Sequence, residues 1–199
     1  MHLQPNRDYV SNDDVQTPPA LARRLVQHFQ PRGRILEPCR GEGNFYRALR
    51  AHLRGATADS RANGRLGGQR RARAGESVAW TEIKAGRDFF ACTDTFDWII
   101  TNPPWSEIRR FLQHAMQHAD NVVFLLTINH VWTKARLRDI RAADFGLKEI
   151  VLVDMPASFP QSGFQLGAVH VQRGWHGAIA LSDLGAAGRS SPAHHADLR

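Results

Sequence analysis

The sequence predicts an α/β fold, a mostly parallel sheet with helices on both faces. Three observations carry this. Short apolar runs at Arg34–Pro38, Val78–Ile83, Asp97–Thr101, Asn121–Thr127 and Lys148–Asp154 alternate with segments of helical periodicity. Such alternation builds parallel sheets, because a parallel crossover needs about a helix's length of chain. The run Asn121–Thr127 is apolar from Val122 to Leu126, as expected of a strand covered on both faces. Finally, the Gly/Pro-rich strings Glu37–Phe45 and Asn102–Trp105 stand directly behind apolar runs, where open α/β sheets place their ligands.

Residues 1–16 read as irregular and polar. Thr17-Pro18-Pro19 opens a helix, with Thr17 as cap and proline in the first turn. Leu21, Leu25 and Phe29 recur at four-residue spacing along it, and Pro31 and Gly33 end it. A second helix is expected over Asn44–Leu53. Ile108, Phe111, Leu112, Ala115, Met116 and Ala119 mark the apolar face of a third, over Ser106–Ala119. Lys134–Ala143 reads as a fourth, and Ala168–Gln172 as the last strand. Residues 181–199, rich in Gly, Ala, Ser and His, read as a disordered tail. With no internal repeat, 1–180 reads as a single domain.

One stretch differs from its surroundings. Residues 54–76 hold arginine at 54, 61, 65, 70, 71 and 73 against Asp59 and Glu76, with five glycines and almost no large apolar side chain. So little burial predicts a flexible basic insertion, either inert or an arm for phosphates. The whole chain carries a net charge of +7 from 26 basic and 19 acidic residues, and nearly all the basic ones are arginine. Arginine forks match phosphate oxygens, so the balance favours a nucleic-acid partner. No apolar run is long enough to cross a bilayer, and the N-terminus has no signal-peptide pattern. Cys39 and Cys92 lack a metal-ligand or CxxC partner and read as reduced thiols, so a cytoplasmic protein with no metal is expected.

Asn102-Pro103-Pro104-Trp105 follows the run Asp97–Thr101. Two prolines stop a strand, because neither donates to a ladder, and they hold the preceding carbonyls in fixed directions. A planar amide, rigid carbonyls and a large ring are thereby presented together. In Glu37–Phe45, Gly41 and Gly43 allow close backbone approach and positive φ. Tyr46 stands where a dinucleotide fingerprint would need its third glycine, which disfavours NAD.

Asn102–Trp105 resembles the catalytic motif of amino-methyltransferases. Glu37-Pro38-Cys39-Arg40-Gly41-Glu42-Gly43-Asn44-Phe45 resembles the acidic-Pro-x-x-Gly-x-Gly-x-Phe loop of the same family. The order of motifs is similar to the gamma arrangement of S-adenosylmethionine-dependent DNA N6-adenine methyltransferases. Gly86–Phe90 and Gly163–Gly167 look like those of small phage- or prophage-type members. The resemblance covers roughly residues 14–175. It implies a Rossmann-like class I methyltransferase fold with an antiparallel last strand, in a bacterial or phage-encoded protein.

The implied cofactor is S-adenosylmethionine and the implied partner DNA. The loop with Glu37, Gly41 and Gly43 would cradle the methionine end, and Gln16 and Thr17 would close over it. Asp88 would accept from the adenine N6 of the cofactor, with Phe89 packed on the ring. The ribose falls to Glu82 or to Asp59. Glu82 is preferred because it ends the better strand, although only five residues then separate it from Asp88. The Asn102 side chain and the Pro103 carbonyl would polarise the target amino group, beside Pro104. Trp105 would stack the flipped base, and Phe164 would pack on it or belong to the core. With no sizeable recognition domain in the sequence, recognition falls to the basic insertion, Arg173 and Trp175. The same motif suits RNA or a protein glutamine. A catalytically inactive nucleic-acid-binding relative is the reading outside enzymes. Oligomeric state is not legible.

Overall fold

The computed structural model describes residues 14–62, 75–131, 133–161 and 163–185. The strands are β1 (Arg34–Glu37), β2 (Ser77–Trp80), β3 (Phe96–Thr101), β4 (Ala119–Thr127), β5 (Phe145–Val153), β6 (Leu166–Arg173) and β7 (Ala180–Asp183). They form one sheet in the order β2-β1-β3-β4-β6-β5-β7. Neighbours are parallel except around β6, which runs antiparallel to both β4 and β5. The reversal follows from the connection. The loop between β5 and β6 holds no helix, so the chain turns back rather than crossing over.

Helices α1 (Pro19–Phe29) and α2 (Asn44–Ala62) cover one face, and α3 (Ile108–His118) and α4 (Lys134–Ala142) the other. Strand alternation divides the core accordingly. Ile35, Ile100, Val123 and Leu125 pack towards α1 and α2, while Leu36, Ile99, Val122, Phe124 and Leu126 pack towards α3 and α4. The predicted third helix begins two residues late. Trp105–Glu107 forms a single 3-10 turn after the prolines, and the α-helix starts at Ile108.

Four expectations are corrected. Thr17 does not cap α1: Pro18 holds that position, and the Thr17 hydroxyl is buried. The helix from Asn44 continues to Ala62, so residues 54–62 of the basic stretch are helical, while residues 63–74 lie outside the described residues. Alanines and arginines are strong enough helix formers to carry the backbone through Gly55. The strand expected over Val78–Ile83 ends at Trp80, because the chain folds back. Glu82 and Arg87 exchange both backbone hydrogen bonds, at 2.9 and 3.1 Å, with Gly86 at φ 71° closing the turn. This hairpin takes the place of a further helix and strand, and β2 is the edge of the sheet among the described residues.

The fourth correction concerns the tail. Ala180–Asp183 is not disordered but forms β7, parallel to β5, and Arg24 of α1 donates to the Leu184 and Gly185 carbonyls that follow it. Ala168–Gln172 is therefore the antiparallel strand but not the last one. Residues 186–199 lie outside the described residues.

Candidate functional site

Beyond the carboxyl ends of β1 and β3 the chain leaves in opposite directions, towards β2 on one side and β4 on the other. That is the switch point at which an open α/β sheet forms a crevice. Three segments meet there: the loop after β1, the Asn102–Trp105 turn after β3, and the strap Asp14–Pro18 that precedes α1.

The first loop is stitched to the end of β2. Arg40 N–H donates to the Thr81 carbonyl at 3.1 Å, and the Thr81 hydroxyl donates to the Pro38 carbonyl at 2.7 Å. Gly41 N–H donates to Glu82 Oε2 at 2.7 Å, and Lys84 N–H to Glu82 Oε1 at 3.1 Å. Glu82 is thus held at the loop's mouth. Asp59 lies on α2. Gly41 has φ 47°, and a Cβ there would run into the end of the Gln16 side chain, so any other residue at this position is strained and must displace Gln16.

The strap joins the other two segments. Gln16 Oε1 accepts from Glu42 N–H at 3.0 Å. Asn44 Nδ2 donates to the Thr17 carbonyl, and Asn102 Nδ2 to the Val15 carbonyl, both at 2.9 Å. Lys84 and Asp14 pair at 2.7 Å across the surface, and this contact holds the Asp14 carboxyl below the usual range. The Asn102 amide is fixed at both ends, since Trp105 Nε1 donates to its Oδ1 at 3.3 Å and also to the Leu125 carbonyl at 3.3 Å. Pro103 is buried and Pro104 half-buried. The half-buried Trp105 ring packs against both halves of the core, 6.0 Å from Phe159 and 6.5 Å from His130 between ring centroids.

Glu37, at the end of β1, is 2% exposed, and its Oε2 has no hydrogen-bond partner among the described residues. Burial pushes its carboxyl up to about 9, against the opposing pull of a backbone hydrogen bond from Tyr46 and of Arg40 and Arg47. Cys39, two residues on, is half-buried. Burial pushes its thiol far up, as befits a packed side chain rather than a nucleophile.

Asp88 caps a 3-10 turn, accepting from Phe90 N–H at 2.9 Å. Phe89, expected against a ligand ring, is 3% exposed and stacks on Phe111 at 5.4 Å, so the core takes up its ring. The apolar side chain offered to solvent is instead Ile83, beside Glu82 and 68% exposed. Its place at the strand end gives no sign of this in the sequence, because the hairpin that exposes it depends on the pairing with Arg87. Phe164 is 55% exposed, which sets aside the core reading. Phe159 is the later-loop aromatic that reaches Trp105.

Arg173 and Trp175 lie at the opposite end of the sheet. Arg173 is spent on Asp120 at 2.9 Å and on the Met116 and Ala119 carbonyls, at the start of β4. A polar cavity of about 290 Å³ lies there too, lined by Arg34, Phe96, Asp97, His118, Asp120 and Arg173, away from the loop crevice. Among the described residues no group of three or more His, Cys, Asp or Glu could hold a metal ion. No described helix is long and apolar enough to cross a membrane.

No protein-family model and no curated protein matches the sequence. Solved structures do match in shape. The M protein of the type I restriction enzyme EcoKI is similar over 79% of this chain and 44% of its own, at 12% identity and TM-score 0.55. The methyltransferase subunit of a type I restriction-modification system from Streptococcus thermophilus is similar over 84% and 46%, at 12% identity and TM-score 0.54. A candidate class I S-adenosylmethionine-dependent methyltransferase from Listeria monocytogenes is similar over 89% and 68%, at 12% identity and TM-score 0.53. The chain thus spans under half the length of the two restriction-modification subunits. What these structures share with this chain is the overall shape: it has the class I methyltransferase fold.

Proposed function

We propose that this chain is an S-adenosylmethionine-dependent methyltransferase acting on the exocyclic N6 of adenine in DNA. The observation that carries this is the Asn102 amide, fixed behind β3 by Val15 and Trp105 and joined through the strap to the glycine loop.

The residues present fit the cofactor. The orphaned Glu37 oxygen and the glycine at 41 leave a polar, close-approach cradle at the loop. Glu37, Gly41 and Gly43 would hold its methionine end under Gln16 and Thr17, Glu82 its ribose, and Asp88 its adenine amino group. Ile83, rather than Phe89, offers the open apolar face for the adenine ring. When bound, the cofactor supplies an electrophilic methyl group.

The rest falls to this chain's own groups. An amino nitrogen on an aromatic ring is a poor nucleophile, because its lone pair is delocalised. Asn102 Oδ1 and the Pro103 carbonyl accept from its two hydrogens and draw it towards a tetrahedral shape, which frees the lone pair. Fixed acceptors cost no reorganisation as charge develops, so rigid placement is the catalytic device. Trp105 offers a face to an extruded base, a stack worth roughly 1–3 kcal/mol, and the exposed Phe164 is the candidate for the other side.

The test is transfer of labelled methyl groups to unmethylated DNA, with RNA and unmodified protein extract in parallel and the product identified by mass spectrometry. N6-methyladenine in DNA is expected; methyl groups on RNA or glutamine alone would overturn the substrate. Asp88→Ala is expected to weaken cofactor binding roughly tenfold or more, the loss of one hydrogen bond to a carboxylate. Calorimetry checks this. Unchanged affinity with a lowered melting temperature would leave Asp88 as a turn cap only.

A further inference from the structure

On α3 and α4, one guanidinium grips a carboxylate on which two others act electrostatically. Arg109, in the first turn of α3, grips Asp139 of α4 as a fork, with Nε–Oδ2 at 2.8 Å and Nη2–Oδ1 at 3.2 Å. Arg136 and Arg138, also on α4, lie within electrostatic reach of the same Asp139. Arg136 is additionally within reach of Arg109, and its Nε is buried without a hydrogen-bond partner among the described residues. Lys134, exposed at the start of α4, adds a further positive charge. One carboxylate does not balance this set. A phosphate, with several acceptor oxygens, matches the charge and the fork geometry of such guanidiniums.

The cluster also stands in the right place. Arg136 acts electrostatically on His130, whose ring is 6.5 Å from that of Trp105. A base extruded onto Trp105 stays tethered to its own backbone, so its flanking phosphates must fall within a nucleotide's reach of that ring. Among the described residues near the crevice, Arg40 and Arg87 lie over the Trp80 ring, with guanidinium carbons 4.5 and 4.2 Å from its centroid, and Lys84 pairs with Asp14.

We infer that Arg109, Arg136 and Arg138, gathered around Asp139, form with Lys134 at the start of α4 the phosphate-binding site that holds the DNA strand flanking the target base. This rests on the proposed function and adds to it where the backbone lies. It places the main phosphate grip on α3 and α4, on the face of the sheet opposite α1 and α2.

The experiment measures binding of the full chain to a fluorescent duplex of about twenty base pairs across a range of salt. Each phosphate that a variant no longer neutralises lowers the slope of log Kd against log salt by about 0.9. Arg136→Ala/Arg138→Ala is expected to bind at least about tenfold more weakly at low salt, with a slope lower by nearly two. Asp139→Asn removes the competing carboxylate and should bind more tightly, an effect of opposite sign that damage to the fold would not produce. Arg23→Ala, exposed on α1 across the sheet, should leave the slope unchanged. A wild-type slope in the double variant, or weaker binding by Asp139→Asn, overturns the site. Losses confined to an RNA probe of equal length overturn its assignment to DNA. Cofactor affinity, measured alongside, separates the two levels. Variants that bind the cofactor normally and keep the wild-type slope sink only the phosphate site, whereas a wild-type chain that binds no DNA at any salt sinks the DNA substrate with it.

Discussion

Asn102→Ala is expected to slow methyl transfer roughly a hundred- to a thousand-fold, the cost of removing one preorganised partner of developing charge. The effect should fall on kcat rather than KM, because the amide acts on charge that exists only in the transition state. Cofactor affinity should survive, since Gln16 still ties the strap to Glu42 and Asn44 still ties it to the α2 start. The substitution also removes the donor to the Val15 carbonyl and the acceptor for Trp105 Nε1. Asn102→Asp separates these effects. It keeps oxygens for the target amino group and for the indole N–H, but sets a carboxylate against the Val15 carbonyl, so strap stability falls. Single-turnover rates with saturating cofactor distinguish the two. Transfer by Asn102→Ala within tenfold of wild type would sink the proposed mechanism.

What is legible in the sequence is whatever depends on local pattern. The apolar face of α3, the apolar run Val122–Leu126 within β4 and the proline stop after β3 follow from period and sterics, and all three are found. So does the glycine loop, because Gly41 has a backbone angle that other residues resist. What fails depends on long-range partners. β7 has an exposed, unpatterned sequence and exists as a strand only because β5 offers an edge. The Glu82–Arg87 hairpin needs a bridge that no propensity announces, and without it the short span to Asp88 looks like damage. Motif and charge point to Phe89 and Arg173 as site residues, but packing gives the first to the core and Asp120 claims the second. The choice between Glu82 and Asp59 is open in the sequence because both are acidic and both lie downstream of the glycines. Backbone placement separates them, with one stitched to Gly41 and the other on a helix.

Glu37 gives the protein a dependence on pH opposite to that of most carboxylates. An unfolded chain ionises this group near 4.5, whereas in the folded chain burial pushes it up to about 9. Between those values the folded state holds a proton that the unfolded state has released. Stability is therefore full below about 4.5 and falls as pH rises towards 9, by at most about 1.4 kcal/mol per pH unit. Glu37→Gln keeps the shape and removes the ionisation, so denaturant unfolding across this window should show a flat contribution and a variant more stable than wild type at alkaline pH. If the proposed site is right, the cofactor would turn the same group into a reporter of binding. The methionine end of S-adenosylmethionine is cationic, and a positive charge beside a neutral Glu37 favours its ionised form. Binding near neutral pH is then expected to release a proton, visible as a heat that changes with the ionisation enthalpy of the buffer. Glu37→Gln should bind more weakly and release none. Proton release by the variant equal to that of wild type would remove Glu37 from the cofactor site, and parallel pH–stability curves would mean that its carboxyl is not held neutral at all.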